Sequence, residues 1–142
     1  MNGLPLLIRL ARQQADARRT ALAAAETARL EELARLRAHD SATARETDRA
    51  RGDAAEMALW SAWISRAGRQ RGQLLALLRQ AEQVEEAERE ALREDFAQLK
   101  RLEIALRQKQ EAARHAALRR AEQQAEEAEL RRQGERKRSG GE

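Results

Sequence analysis

Few side chains in this sequence are equipped for chemistry, and their spacing argues against catalysis. His39 and His115 stand far apart, each among polar helix-forming residues, so each is expected to be a solvated imidazole. The carboxylate run Glu82, Glu85, Glu86, Glu88 and Glu90 reads as a solvated helix face rather than an acid/base pair or a metal cage. There is no cysteine, hence no thiolate chemistry and no disulfide framework. No glycine loop is built to cradle phosphate, no ligand spacing suits a metal, and no nucleophile neighbours a base. No catalytic, cofactor-binding or metal residue is therefore assigned, and the chain is not expected to be an enzyme.

The side chains best suited to binding are Trp60 and Trp63. They are two of the chain's three aromatics and share one helix face at i and i+3. Ile64, Ala67, Gln70 and Leu74 continue that surface. An exposed indole is costly, and tryptophan recurs at binding hot spots. The alternative is that both indoles pack back onto a first helix. Arg51-Gly52-Asp53 spells a cell-adhesion tripeptide, but with no secretory signal it reads as helix punctuation.

The elements that position these residues are long helices. The 142 residues are 37% charged and 2% aromatic, dominated by helix formers. From Glu56 to about Arg132 there is no proline, and Gly68 and Gly72 are the only glycines. Apolar residues recur every three to four positions through Trp60, Ile64, Ala67, Leu74, Leu78 and Ala81, then Leu92, Phe96, Leu99, Leu102, Leu106 and Ala113. Such a helix would run about 110 Å at 1.5 Å per residue, too long to bury itself in a globular core. Many stripe positions hold alanine, so the interface is weak and adjustable. Gly68 and Gly72 are expected to thin the helix surface for a close neighbour.

An earlier stripe runs through Ile8, Ala11, Ala15, Leu22 and Ala25, then slips to Leu30 and Leu33. That slip reads as a stutter that relaxes supercoiling. The break falls at Arg51–Glu56, although Thr43 with Glu46 offers a second box that would start the loop as early as Asp40. Gly52 suits a left-handed helix end, and Asp53 with Glu56 suits a capping box. The expected fold is all-α: a two-helix antiparallel coiled-coil hairpin with helix 1 at about 4–50, a turn at about 51–55 and helix 2 at about 56–132. A disordered basic tail at 133–142 follows. The pairing is lopsided, leaving residues from about Ile104 onward without a partner inside the chain. Acid-first pairs at i,i+4 (Glu31–Arg35, Glu85–Arg89, Glu103–Arg107, Glu127–Arg131) support the exposed faces by about 0.2–0.5 kcal/mol each.

Charge location qualifies the net +4. Setting aside the five basic and two acidic side chains of residues 131–142 leaves 23 basic and 22 acidic elsewhere. The body is nearly balanced. The basic tail lacks interleaved aromatics, so no specific nucleic-acid binding is expected. The Leu4–Ile8 run is far too short to span a bilayer, and the chain is expected to be soluble and cytoplasmic.

In the order of its segments the chain resembles the FliJ family, coiled-coil proteins of the flagellar type III export apparatus. The resemblance rests on the Leu-rich start Leu4–Leu10, the turn, the opening Trp60-Ser-Ala-Trp63-Ile64 and the stretch Ala91–Glu103, followed by an Arg/Glu/Gln-rich helix. It implies an antiparallel hairpin that acts as a central stalk, binds and promotes a hexameric export ATPase, engages the cytoplasmic domain of the export gate and handles export chaperones. That role is peripheral to the inner membrane, without membrane insertion and without a cofactor. It further implies gate contact through Trp60, Trp63, Ala67, Gln70 and Leu74. ATPase contact would fall at Leu4, Leu7, Ile8, Arg12, Arg107, Arg114, Arg119 and Arg120. Rival readings are a YscO-like stalk of a virulence-type secretion system, a generic coiled-coil scaffold or homodimer, and a nucleic-acid-associated helical protein.

Overall fold

A computed structural model describes residues 3–140, and they form two helices, α1 (Gly3–Ala50) and α2 (Ala54–Gly140). The fold is all-α, a two-helix hairpin. Within it the described residues divide into two compact units, Leu10–Gln98 and a second made of residues 3–9 with 99–140. Pro5 stands in the first turn of α1, where its missing N–H is no loss. None of the described helices is long and apolar enough to cross a membrane.

Between the helices, Gly52 N donates to Arg49 O (3.4 Å) and Asp53 N to Ala50 O (3.3 Å). These i→i+3 bonds satisfy carbonyls that the end of α1 leaves orphaned. Asp53 then caps α2, its Oδ1 accepting from Ala55 N at 2.9 Å. Two expectations are corrected here. No glycine among the described residues has a positive φ, so Gly52 does not take the left-handed position. The capping box is also incomplete: Asp53 N is used by Ala50 O, and Glu56 contributes only as a negative charge in the first turn.

In the Leu10–Gln98 unit the inward positions keep a three-four rhythm, unbroken on α1 and interrupted on α2 where the exposed Arg71 stands at the inward phase. On α1 they are Ala11, Ala15, Arg18, Leu22, Ala25, Arg29, Glu32, Leu36, His39, Thr43, Glu46 and Ala50, all buried or half-buried. On α2 Ile64, Ala67, Leu74, Leu78, Ala81, Glu85, Glu88, Leu92 and Asp95 follow the same rhythm. The expected stutter is absent. Leu30 is 55% exposed, and the polar Arg29 takes the inward place instead. Phe96 likewise lies off the seam, its ring 4.7 Å beneath the Arg19 guanidinium. The register survives because the polar intruders find partners across the seam.

Arg18 bonds Asp95 (3.1 Å) and Glu88 (3.2 Å), Arg29 bonds Glu85, and Arg71 bonds Asp40 through both oxygens at 2.9 and 3.3 Å. All join an early residue to a late one, so all specify the antiparallel direction. Sliding one helix by a heptad would leave Glu85, whose side chain is 9% exposed, without Arg29. The carboxylate run is thus not the uniform solvated face that its composition suggests: Glu85 and Glu88 are seam residues. Gly68 and Gly72 meet no neighbour either, since a Cβ built at each has nothing within 4 Å. They do not accommodate a close partner within the chain.

In the other unit Ile8 is buried, while Leu4, Leu99, Leu102 and Leu106 are half-buried. From Arg107 to Gly140 every residue is exposed except the half-buried Ala116 and Gly134. The helix continues past the expected end near residue 132 to Gly140, so residues 133–140 are helical rather than a disordered tail, and 141–142 lie outside the described residues. Good helix formers here extend a helix already nucleated upstream, which removes the initiation penalty. Exposed pairs such as Arg131–Glu127 (3.7 Å) and Arg132–Glu129 (3.8 Å) accompany the extension.

Candidate functional site

The tip of the Leu10–Gln98 unit is where aromatic surface and open space coincide. Cap and turn leave three residues between Ala50, which ends α1, and Ala54, which starts α2, and this places Trp60 beside Thr47. The Trp60 Nε1–H donates to Thr47 Oγ1 (3.1 Å); that hydroxyl donates to Thr43 O (2.8 Å), and Thr43 Oγ1 donates to His39 O (2.9 Å). The indole is therefore oriented by a hydrogen bond that continues down α1. A half-buried indole needs such a partner for its N–H.

A cleft of about 210 Å³ opens at this place, lined by Glu46, Arg49, Ala50, Glu56, Leu59, Trp60 and Trp63. Small-molecule sites usually offer about 300–1,000 Å³, so the cleft suits one or two side chains of a protein partner better than a metabolite. Glu46 is tied to Arg49 at 3.2 Å. Leu59, which lines the cleft, is 75% exposed, so the rim carries an apolar side chain largely open to solvent.

The residues proposed for gate contact do not form one outward surface. Trp60 and Trp63 are half-buried beside the cleft. Ala67 is only 4% exposed, and Leu74 is half-buried in the seam. Both face the first helix and cannot also present a docking face. Gln70 is exposed. Sequence reasoning passed over Leu59. The signal was present: Leu59 precedes Trp60 and falls outside the three-four rhythm of Ile64, Ala67 and Leu74, which marks it as outward-facing.

The residues proposed for ATPase contact also divide. Ile8 is buried at 5% exposure and Leu4 half-buried, whereas Leu7, Arg12, Arg107, Arg114, Arg119 and Arg120 are exposed. Leu6 and Leu10, not singled out earlier, are 55% and 51% exposed.

Titratable groups respond to the seam. Hydrogen bonds from Arg89 and then Arg29 hold the Glu85 carboxyl below the usual carboxylate range, against the opposing effect of desolvation. Arg71 does the same to Asp40. His39 is not the solvated imidazole expected: its side chain is 16% exposed, and its buried Nδ1 has no hydrogen-bond partner, lying 3.9 Å from Asp40 Oδ1. His115 is exposed. Among the described residues, no three His, Cys, Asp or Glu side chains are grouped to hold a metal ion. No family model, curated protein or solved structure matches the chain.

Proposed function

We propose that this chain is a FliJ-like stalk that promotes a hexameric export ATPase and couples it to an export gate. The observation that carries the reading is the inequality of the helices. α2 has 87 residues against 48 in α1, and its surface beyond Leu106 is left almost wholly exposed and densely charged. A helix so short of apolar contact is suited to transient charge pairing with a ring of loops rather than to deep burial. The tip supplies a second, different surface in Leu59, Trp60 and Trp63 for the gate, and export chaperones would be handled by the same rod. The protein itself supplies no chemistry. It acts by biasing the conformations of its partner, which requires that it bind some ring states more tightly than others.

Adding the chain to its cognate export ATPase is expected to raise both hydrolysis and hexamer formation. No effect at saturating protein overturns the stalk reading. Trp63→Ala is expected to weaken gate binding with far-UV helicity unchanged, and unaltered gate affinity would remove the tip from that role.

A further inference from the structure

Beyond Leu106, α2 carries its charge in blocks. Residues 107–120 hold five basic side chains and one acidic, residues 122–129 hold four acidic and no basic, and residues 131–138 again hold five basic and one acidic. Among the described residues, Arg114, Arg119, Arg120, Glu122 and Glu126 form no ion pair, and the pairs of Glu127 and Glu129 with Arg131 and Arg132 are long and exposed. The centres of the first two blocks are about 12 residues apart, roughly 18 Å along a helix. That is about twice the Debye length at physiological salt, so each block acts as a separate patch.

Among closed two-fold pairings this pattern is self-complementary when the copies run antiparallel; a parallel stagger also opposes unlike blocks but leaves unpaired ends. Two copies aligned in parallel and in register would set acid against acid and base against base. An antiparallel pair, with its two-fold axis near residues 120–121, sets residues 122–129 of each copy against 112–119 of the other, twice by symmetry, and leaves Arg131 and Arg132 near the basic Arg107 and Lys109 at the outer edges. The same register places Ala113 opposite Ala128 of the second copy, and Ala117 opposite Gln124, so an alanine stands on at least one side of each pair where the helices approach. We propose that a second copy of this chain covers this face of α2 in an antiparallel, two-fold pairing centred near Arg120 and Ala121.

Exposed ion pairs and alanine contacts are individually weak, so the dimer is expected to dissociate at about 10–100 µM. The inference does not depend on the stalk reading. A chain paired in this way and a chain engaged with a ring use the same surface, so the two states exclude each other.

Sedimentation equilibrium of the full chain tests the pairing. The wild type should show a rising dimer fraction, weakened about tenfold when salt goes from about 0.05 to about 0.5 M. Two charge-reversed variants, Glu122→Arg with Glu126→Arg and Glu127→Arg, and Arg114→Glu with Arg119→Glu and Arg120→Glu, should each be monomeric with helicity retained by circular dichroism. Mixed in equal amounts they should form a heterodimer, because a net-basic stretch then meets a net-acidic one on both sides of the two-fold axis. The chain has no cysteine of its own, which allows the direction to be read by cross-linking. Ala121→Cys should cross-link to itself, and Ala113→Cys should cross-link to Ala128→Cys but not to itself. A wild type that stays monomeric at about 500 µM overturns the proposal. So does a dimer indifferent to both reversals, or self-cross-linking by Ala113→Cys.

Discussion

The stretch Leu10–Gln98 and the stretch from Arg107 to Gly140 are built from nearly the same amino acids, yet they are helical for different reasons. In the first, each helix is held by the other: leucine and alanine close the seam, and Arg18, Arg29 and Arg71 meet Glu88, Asp95, Glu85 and Asp40 across it. In the second, all of the described residues but the half-buried Ala116 and Gly134 are exposed, and the helix persists on propensity, local ion pairs and the turns already formed before it. Composition sets helicity in both. Tertiary pairing sets stability and register in only one.

The largest contrast should appear in amide exchange. Amides along the seam between Ile64 and Asp95 should be protected at least about a hundredfold more than those between Ala113 and Leu130, because the latter open without breaking tertiary contacts. Equal protection would show that the end of α2 is covered in solution, as the dimer requires at high concentration, so the measurement should be repeated on dilution.

Point substitutions sharpen the same contrast. Leu78→Ala should destabilise the hairpin by about 2–3 kcal/mol in urea unfolding, near the low end for buried leucine because a two-helix seam can close over the gap. Leu118→Ala, at a site 56% exposed, should stay within about 0.5 kcal/mol.

Acid should act on the paired region alone. The folded-state pKa values of Glu85 and Asp40 are depressed, so the stability they confer is fully present above the ordinary carboxylate range of about 4. It is lost as pH falls through their lower folded values. Glu85→Gln should lower Tm at neutral pH, and its difference from wild type should shrink as pH drops below about 4. A difference that stays constant across that range would show that Glu85 acts through shape rather than charge.

The smallest effects belong to the glycines. Gly68→Ala and Gly72→Ala should each stabilise by up to about 1 kcal/mol, since each added methyl meets open space. Gly52→Ala should be close to neutral: its φ is not positive, and the new Cβ would lie 3.8 Å from Arg49 O, an ordinary contact.

Much of this architecture was legible in the sequence. Two helices, their antiparallel return near Gly52 and the excess length of the second follow from a single proline, a single cap and uninterrupted periodicity. The departures along the seam share a cause. Following leucine alone produced a stutter at Leu30, put Phe96 in the seam and left His39 and Glu85 in solvent. A periodicity argument scores apolar side chains, whereas the seam accepts any residue whose polar end finds a partner on the other helix. The tip cleft was half visible: its tryptophans stand out, but Leu59 and the involvement of Glu46 and Ala50 need the fold.

What the sequence determined by itself is helicity, the place of reversal and the charge blocks of the second helix, because propensity, capping and charge order are local along the chain. What only the tertiary structure decided is which residues face inward and at what register. That choice depends on whether Arg29 can reach Glu85 and Arg18 can reach Asp95, residues 56 and 77 positions apart, and no local rule measures such a distance.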